Sequence, residues 1–195
     1  MLSLCADSSG SALSFSLADI EAHRLIKTVE QPSAKGSDGV FFPVLADFLK
    51  NAHILPQEID RWIAVVGPGS FTGIRICISG LAAVTMALGK ELYGLSALDA
   101  AALLTSLEKV SVAARLRLDE YACRDYDFKN GHSEVYLTGK IGGLISVNNG
   151  ADSAYTNLSA AVAKQGCKEF LREPEPLYVL PSQAEINFDK KSFHR

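Results

Sequence analysis

The sequence predicts an α/β protein with mixed sheets and flanking helices. Three observations carry that prediction. Ala12-Leu13-Ser14-Phe15-Ser16-Leu17 alternates apolar and polar with the period of a half-buried strand. Trp62-Ile63-Ala64-Val65-Val66 is a strand-like run that ends in the glycine-rich turn Gly67-Pro68-Gly69-Ser70-Phe71-Thr72-Gly73 and continues into an apolar helix, Ile74 to Leu88. A further short strand and helix then follow, giving the strand–helix–strand–helix run of layered α/β proteins.

The elements follow in order. Leu2 to Ala6 is a strand that ends in the turn cluster Asp7-Ser8-Ser9-Gly10. Residues 12–17 and then His23 to Glu30 are strands, so the sheet starts with antiparallel neighbours. Residues 33–39 are polar and form a loop. Val40, Phe41, Val44, Leu45, Phe48 and Leu49 recur at helical spacing, with Pro43 in the first turn, where its missing N–H costs little. Ser70 or Thr72 caps the helix of residues 74–88. Glu91 to Leu95 is a strand, and Ser96 caps a helix running to Leu107. Val110 to Ala114 and Glu120 to Phe128 are strands, Asn130-Gly131 is a hairpin turn, and Glu134 to Thr138 pairs back. Asn157 to Lys164 is a modest helix, and the polar stretch after Pro181 is expected to be disordered.

The totals exclude some classes. Hydrophobic residues are 48% and charged residues 21%, enough for a core without disulfide or metal staples. A net charge of −3 offers no basic footprint for autonomous nucleic-acid binding. Cys5, Cys77, Cys123 and Cys167 form no C-x-x-C pair and read as reduced thiols of a cytoplasmic protein. The N-terminus has no basic-then-apolar leader pattern, and residues 74–88 are shorter than a bilayer span, so no membrane association is expected.

The glycine loop has two readings. Gly67, Gly69 and Gly73 permit a close backbone approach, and a helix N-terminus after such a loop can cradle a phosphate. Asp7, Ser8, Ser70 and Thr72 would join them in a nucleotide site. Alternatively, the loop is a rigid strand-to-helix junction and Asp7 is a turn former. The absence of a lysine or second carboxylate nearby favours the junction. Ser70 is not in a G-x-S-x-G elbow, and no histidine is placed to serve it as base.

The helix of residues 74–88 has only Arg75, Ser79 and Thr85 as polar side chains. A helix lying on one side of a sheet should show a broad polar face, so both faces are expected to be covered. Gly80, Ala82, Ala83 and Ala87 would let another helix approach closely. With the helix of residues 40–49, the expected interface with a second chain comprises Val40, Phe41, Val44, Leu45, Phe48, Arg75, Ile76, Ser79, Gly80, Ala83 and Ala87; the alternative is that the chain's own second lobe covers the helix.

The run Gly67 to Arg75, then Gly80-Leu81-Ala82, Ala87-Leu88-Gly89 and Gly94-Leu95-Ser96-Ala97-Leu98-Asp99-Ala100, resembles the TsaB (YeaZ) family. Asp7-Ser8-Ser9 fits that family's strand-end Asp-Thr-Ser pattern, and Pro176-Leu177-Tyr178-Val179-Leu180-Pro181 is similar to its closing strand. The resemblance is densest over residues 62–102. It implies an ASKHA fold of two ribonuclease-H-like lobes, which would fall at residues 1–102 and 103–181, with 182–195 as a tail. It further implies a cytoplasmic, non-catalytic partner of the TsaD enzyme and of TsaE, making threonylcarbamoyladenosine in tRNA. A homodimer is expected when the chain is alone, tRNA is contacted only indirectly, and ATP or ADP would enter only with the complex. The alternative is a nucleotide-binding ASKHA ATPase or kinase using Asp7 and the glycine loop.

Two departures stand out. The family carries Asp-Ala-Arg where this chain reads Ala113-Ala114-Arg115, and the second half is shorter. The paralogue's metal-binding histidines, four residues apart, would fall at Ala97 and Ala101, which ligate nothing. His23, His53, His132 and His194 share no ligand spacing, so no metal is expected.

Overall fold

The structure is a computed structural model and describes residues 1–32, 39–105, 107–117, 120–139, 145–147 and 171–180. Among them are two five-stranded sheets with three α-helices. In the first sheet the strands β1 (Leu2–Asp7), β2 (Ala12–Asp19), β3 (Arg24–Pro32), β4 (Arg61–Val65) and β5 (Leu92–Leu95) lie in the order β3-β2-β1-β4-β5. β1–β2 and β2–β3 are antiparallel hairpins, while β1–β4 and β4–β5 are parallel crossovers. The crossovers carry α1 (Phe41–Ala52) and α2 (Phe71–Leu88). The second sheet is built from β6 (Lys109–Arg117), β7 (Glu120–Asp127), β8 (Gly131–His132), β9 (Tyr136–Thr138) and β10 (Ile145–Val147), with β7 pairing β6, β8 and β9.

Alternation along β1 and β4 sorts the core. Leu4, Ala6, Trp62 and Ala64 face α1 and α2 in a cluster with Leu13, Phe15, Phe41, Phe48, Cys77 and Leu81. The Phe15 and Phe41 rings meet edge to face with centroids 5.2 Å apart. Cys5, Ile63 and Val65 point the other way, onto α3 (Ala97–Leu104). That helix is a middle layer, because Val110, Val112, Ala114 and Tyr126 of the second sheet join the same cluster. Being apolar on both faces is what this position requires.

The elements depart from expectation mainly at their ends. α2 begins at Phe71, since Ser70 accepts the Gly73 N–H at 3.2 Å and starts the helix three residues before Ile74. α3 stops at Leu104, short of Leu107, where the chain turns to enter β6. Ser96 does cap it, accepting the Leu98 N–H at 3.2 Å. The hairpin turn occupies residues 128–130, with Gly131 already paired in β8. The expected helix of residues 157–164 and the tail after Pro181 lie outside the described residues, as do Cys167 and His194.

α2 keeps one open side. Its inner face packs on β1, β4 and β5, but Thr72, Arg75, Ser79, Ala83, Met86 and Ala87 are exposed. No element of the described chain covers that face. By length and composition alone α2 could cross a membrane, yet its opposite stripe, Ile74, Cys77, Gly80 and Leu81, is part of the core.

Candidate functional site

Two places concentrate the sequence-derived candidates: the junction at the glycine loop, and the helical face that follows it. The junction is closed by the chain itself. Ser9 C=O accepts the Ser70 N–H at 2.7 Å. A Cβ on Gly73 would stand 1.7 Å from the Ser8 carbonyl oxygen, and one on Gly69 would stand 2.3 Å from that of Ser9. These glycines therefore admit the backbone of the first turn, Asp7 to Ser9, against the start of α2. Gly67 sits at φ +105°, a conformation that favours glycine. The first turn and the start of α2 are thus in direct contact, the packing that a rigid strand-to-helix junction requires.

Asp7 is buried, and its Oδ1 accepts the Ser9 N–H at 2.8 Å, the bond of a turn-forming aspartate. Burial raises its carboxyl above the ordinary 3.8, with the Ser9 bonds opposing. An ionised Asp7 thus costs the folded state stability above the raised value, and the cost is gone below 3.8. Asp7→Asn keeps the acceptor and removes the charge. It is expected to raise the urea midpoint at neutral pH and to lose that advantage below 3.8, checked by urea unfolding at both ends of the range.

A segment that sequence reading took only as a closing strand completes the junction. Residues 171–180 cross the ends of β4 and β5. Gly94 and Arg172 exchange backbone hydrogen bonds at 2.7 and 3.0 Å, and Leu177 N–H donates to Val66 C=O at 2.7 Å. Tyr178 stacks on Phe71 with centroids 4.1 Å apart, and its hydroxyl accepts the Arg75 Nε–H at 2.7 Å. The first turn of α2 is held from both sides, which fixes the direction of the helix.

The expected interface residues divide. Phe41, Leu45, Phe48 and Gly80 are buried within the chain, the last under the Phe41 ring, and so position the helices from inside. Val40, Arg75, Ser79, Ala83 and Ala87 are exposed, and Val44 and Ile76 are half-buried. The structure adds Phe42, 52% exposed, and Met86, 82% exposed. Arg75 is the one charged residue of α2. The open face is therefore small, apolar and almost uncharged.

Ala97 and Ala101 are fully buried in the middle layer, and His23, His53 and His132 are exposed. Sequence reading missed Asp99. It is 1% exposed on α3, its Oδ1 accepting from Arg124 Nη1 at 3.0 Å and from the Tyr126 hydroxyl at 2.6 Å. Burial and the Asp99 carboxylate push the Tyr126 hydroxyl up, so it stays a donor.

Comparison with known proteins agrees with this geometry. Residues 34–116 match the family model described as TsaD, tRNA N6-adenosine threonylcarbamoyltransferase. YeaZ from Pseudomonas aeruginosa superposes with a TM-score of 0.70, at 18% identity, over 91% of this chain and 99% of that one. A crystal structure of an uncharacterized protein with similarity to peptidase YeaZ from Pseudomonas aeruginosa has a TM-score of 0.58 at 26% identity, over 71% of this chain and 64% of that one. An uncharacterized protein of Mycobacterium leprae is 27% identical over 126 residues, and the matched part spans 64% of this chain but only 35% of that relative's length. The mixed α/β fold is that of YeaZ, and the TsaD model match over α1, the glycine loop and α2, with the 26% identical structure, marks the chain as similar to the YeaZ (TsaB) family.

Proposed function

We propose that the chain is a non-catalytic scaffold in the assembly that makes threonylcarbamoyladenosine in tRNA, and that it binds the catalytic TsaD subunit through the open face of α2 and the adjoining end of α1. The observation that carries this reading is the face itself: an 18-residue apolar helix, anchored on one side and exposing Ala83, Met86 and Ala87 on the other. Small residues allow a second helix to approach closely, and removing such a surface from water contributes about 25 cal/mol per Å² before association costs. TsaE would join through the TsaD complex, a second copy would occupy the face when the partner is absent, and tRNA would be met only through the assembly. The site of action would be the cytoplasm.

The closed glycine loop supports the scaffold over a nucleotide-using ATPase or kinase. ATP or ADP would bind only once the complex forms. Reconstitution tests the proposal: tRNA modification by the TsaD enzyme is measured with this chain, without it, and with Ala83→Glu. The variant is expected to lower the rate about tenfold, the equivalent of ~1.4 kcal/mol, by burying a charge in the contact. An unchanged rate with Ala83→Glu, or with the chain omitted, would remove the proposal. Tight ATP–magnesium binding by the isolated chain, read by calorimetry, would favour the enzyme instead.

A further inference from the structure

Arg172 is fixed by its backbone and held at its head only by a long ion pair with Asp99. Its Nη2 lies 3.6 Å from Asp99 Oδ2, beyond hydrogen-bond distance, and its Nε has no acceptor. The other oxygen of Asp99 is already taken by Arg124 and Tyr126. Two guanidinium groups thus share one buried carboxylate, and Arg124 Nε is also without an acceptor. The two cations exceed the one carboxylate by a positive charge, and Arg172 carries it at the edge of the core.

That charge faces a cleft of about 440 Å³, which Arg172, 36% exposed on its side chain, lines together with Asp99. A guanidinium fork matches a carboxylate with two parallel hydrogen bonds. Two other features of the lining narrow the ligand. Glu173 and Glu175 are exposed carboxylates that repel a dianion and attract an ammonium group. Leu171 and Leu177 offer apolar surface. The wider groove nearby, of about 640 Å³, has its lysine committed, Lys109 pairing with Asp127 at 2.8 Å.

We infer that the cleft between α3 and residues 171–177 binds a small aliphatic α-amino acid, its carboxylate on Arg172, its ammonium toward Glu173 and Glu175, and its side chain against Leu171 and Leu177. The site stands on a different part of the molecule from the α2 face and is independent of the scaffold reading.

Calorimetry on the full chain tests it with leucine, leucinamide, N-acetylleucine and inorganic phosphate. Leucine is expected to bind saturably, and leucinamide, which lacks the anion, at least about tenfold more weakly. N-acetylleucine, which lacks the ammonium, is expected to fall between them. Arg172→Gln is expected to abolish the difference between leucine and its amide. Equal binding of leucine and leucinamide, tighter binding of phosphate, or an undiminished leucine response in Arg172→Gln would each overturn the assignment. Should that variant not fold, the amide comparison on the unaltered chain decides.

Discussion

Gly73→Ala is expected to destabilise the fold by about 3 kcal/mol or more, through overpacking at a site where neither neighbour can yield. The new Cβ would fall 1.7 Å from the Ser8 carbonyl oxygen, a backbone atom held in the turn between β1 and β2. Alanine's better helix propensity returns only about 1 kcal/mol. In a domain of this size the loss corresponds to a fall in Tm of roughly 6–12 °C, read by calorimetry. Gly89→Ala is the matched control. Gly89 has φ +63° but nothing within 4 Å of an added Cβ, so only the left-handed conformation is penalised, at about 1–2 kcal/mol. If the two variants lose equal stability, close approach at the glycine loop is not what its glycines serve.

Asp99→Ala is expected to cost about 3–5 kcal/mol, because it strands Arg124 in the middle layer without a counter-charge. Most of the loss belongs to Arg124, 6% exposed on its side chain, and little to Arg172, which is 36% exposed and screened. The double variant Asp99→Ala, Arg124→Met is therefore expected to recover most of the stability, as replacing a buried pair by apolar groups commonly does. Urea unfolding of the four proteins in the cycle measures this. Additive losses in the double variant would mean that the pair is not the source.

Local signals in the sequence carried most of the architecture. Period-two alternation located β2, the strand–loop–helix run located β4 and α2, and Ser96 located the start of α3. What escaped was non-local. α3 is apolar apart from Asp99, but which two layers cover it depends on β6 and β7 returning over it, a tertiary fact. On the open face of α2 the pattern was readable up to a point: it shows that a surface should be buried and does not show what buries it. At the glycine loop, residue type established that something approaches closely, and only the folded structure identifies that something as Ser8 and Ser9. Asp99 had a readable signal, a single carboxylate within Ala97-Leu98-Asp99-Ala100-Ala101-Ala102, but its partners Arg124 and Arg172 lie 25 and 73 positions away. Tyr178 likewise meets Phe71 and Arg75 only because residues 171–180 fold back over the first sheet.

The central claim is that the open face of α2 is a docking surface for a protein partner. Light scattering on the purified chain, alone and mixed with the TsaD enzyme, measures it most directly, with Ala83→Glu run in parallel. The mixture is expected to show a particle with the mass of the complex, the chain alone a dimer, and the folded Ala83→Glu variant neither. A mass for the variant unchanged from that of the unaltered chain in both settings would contradict it.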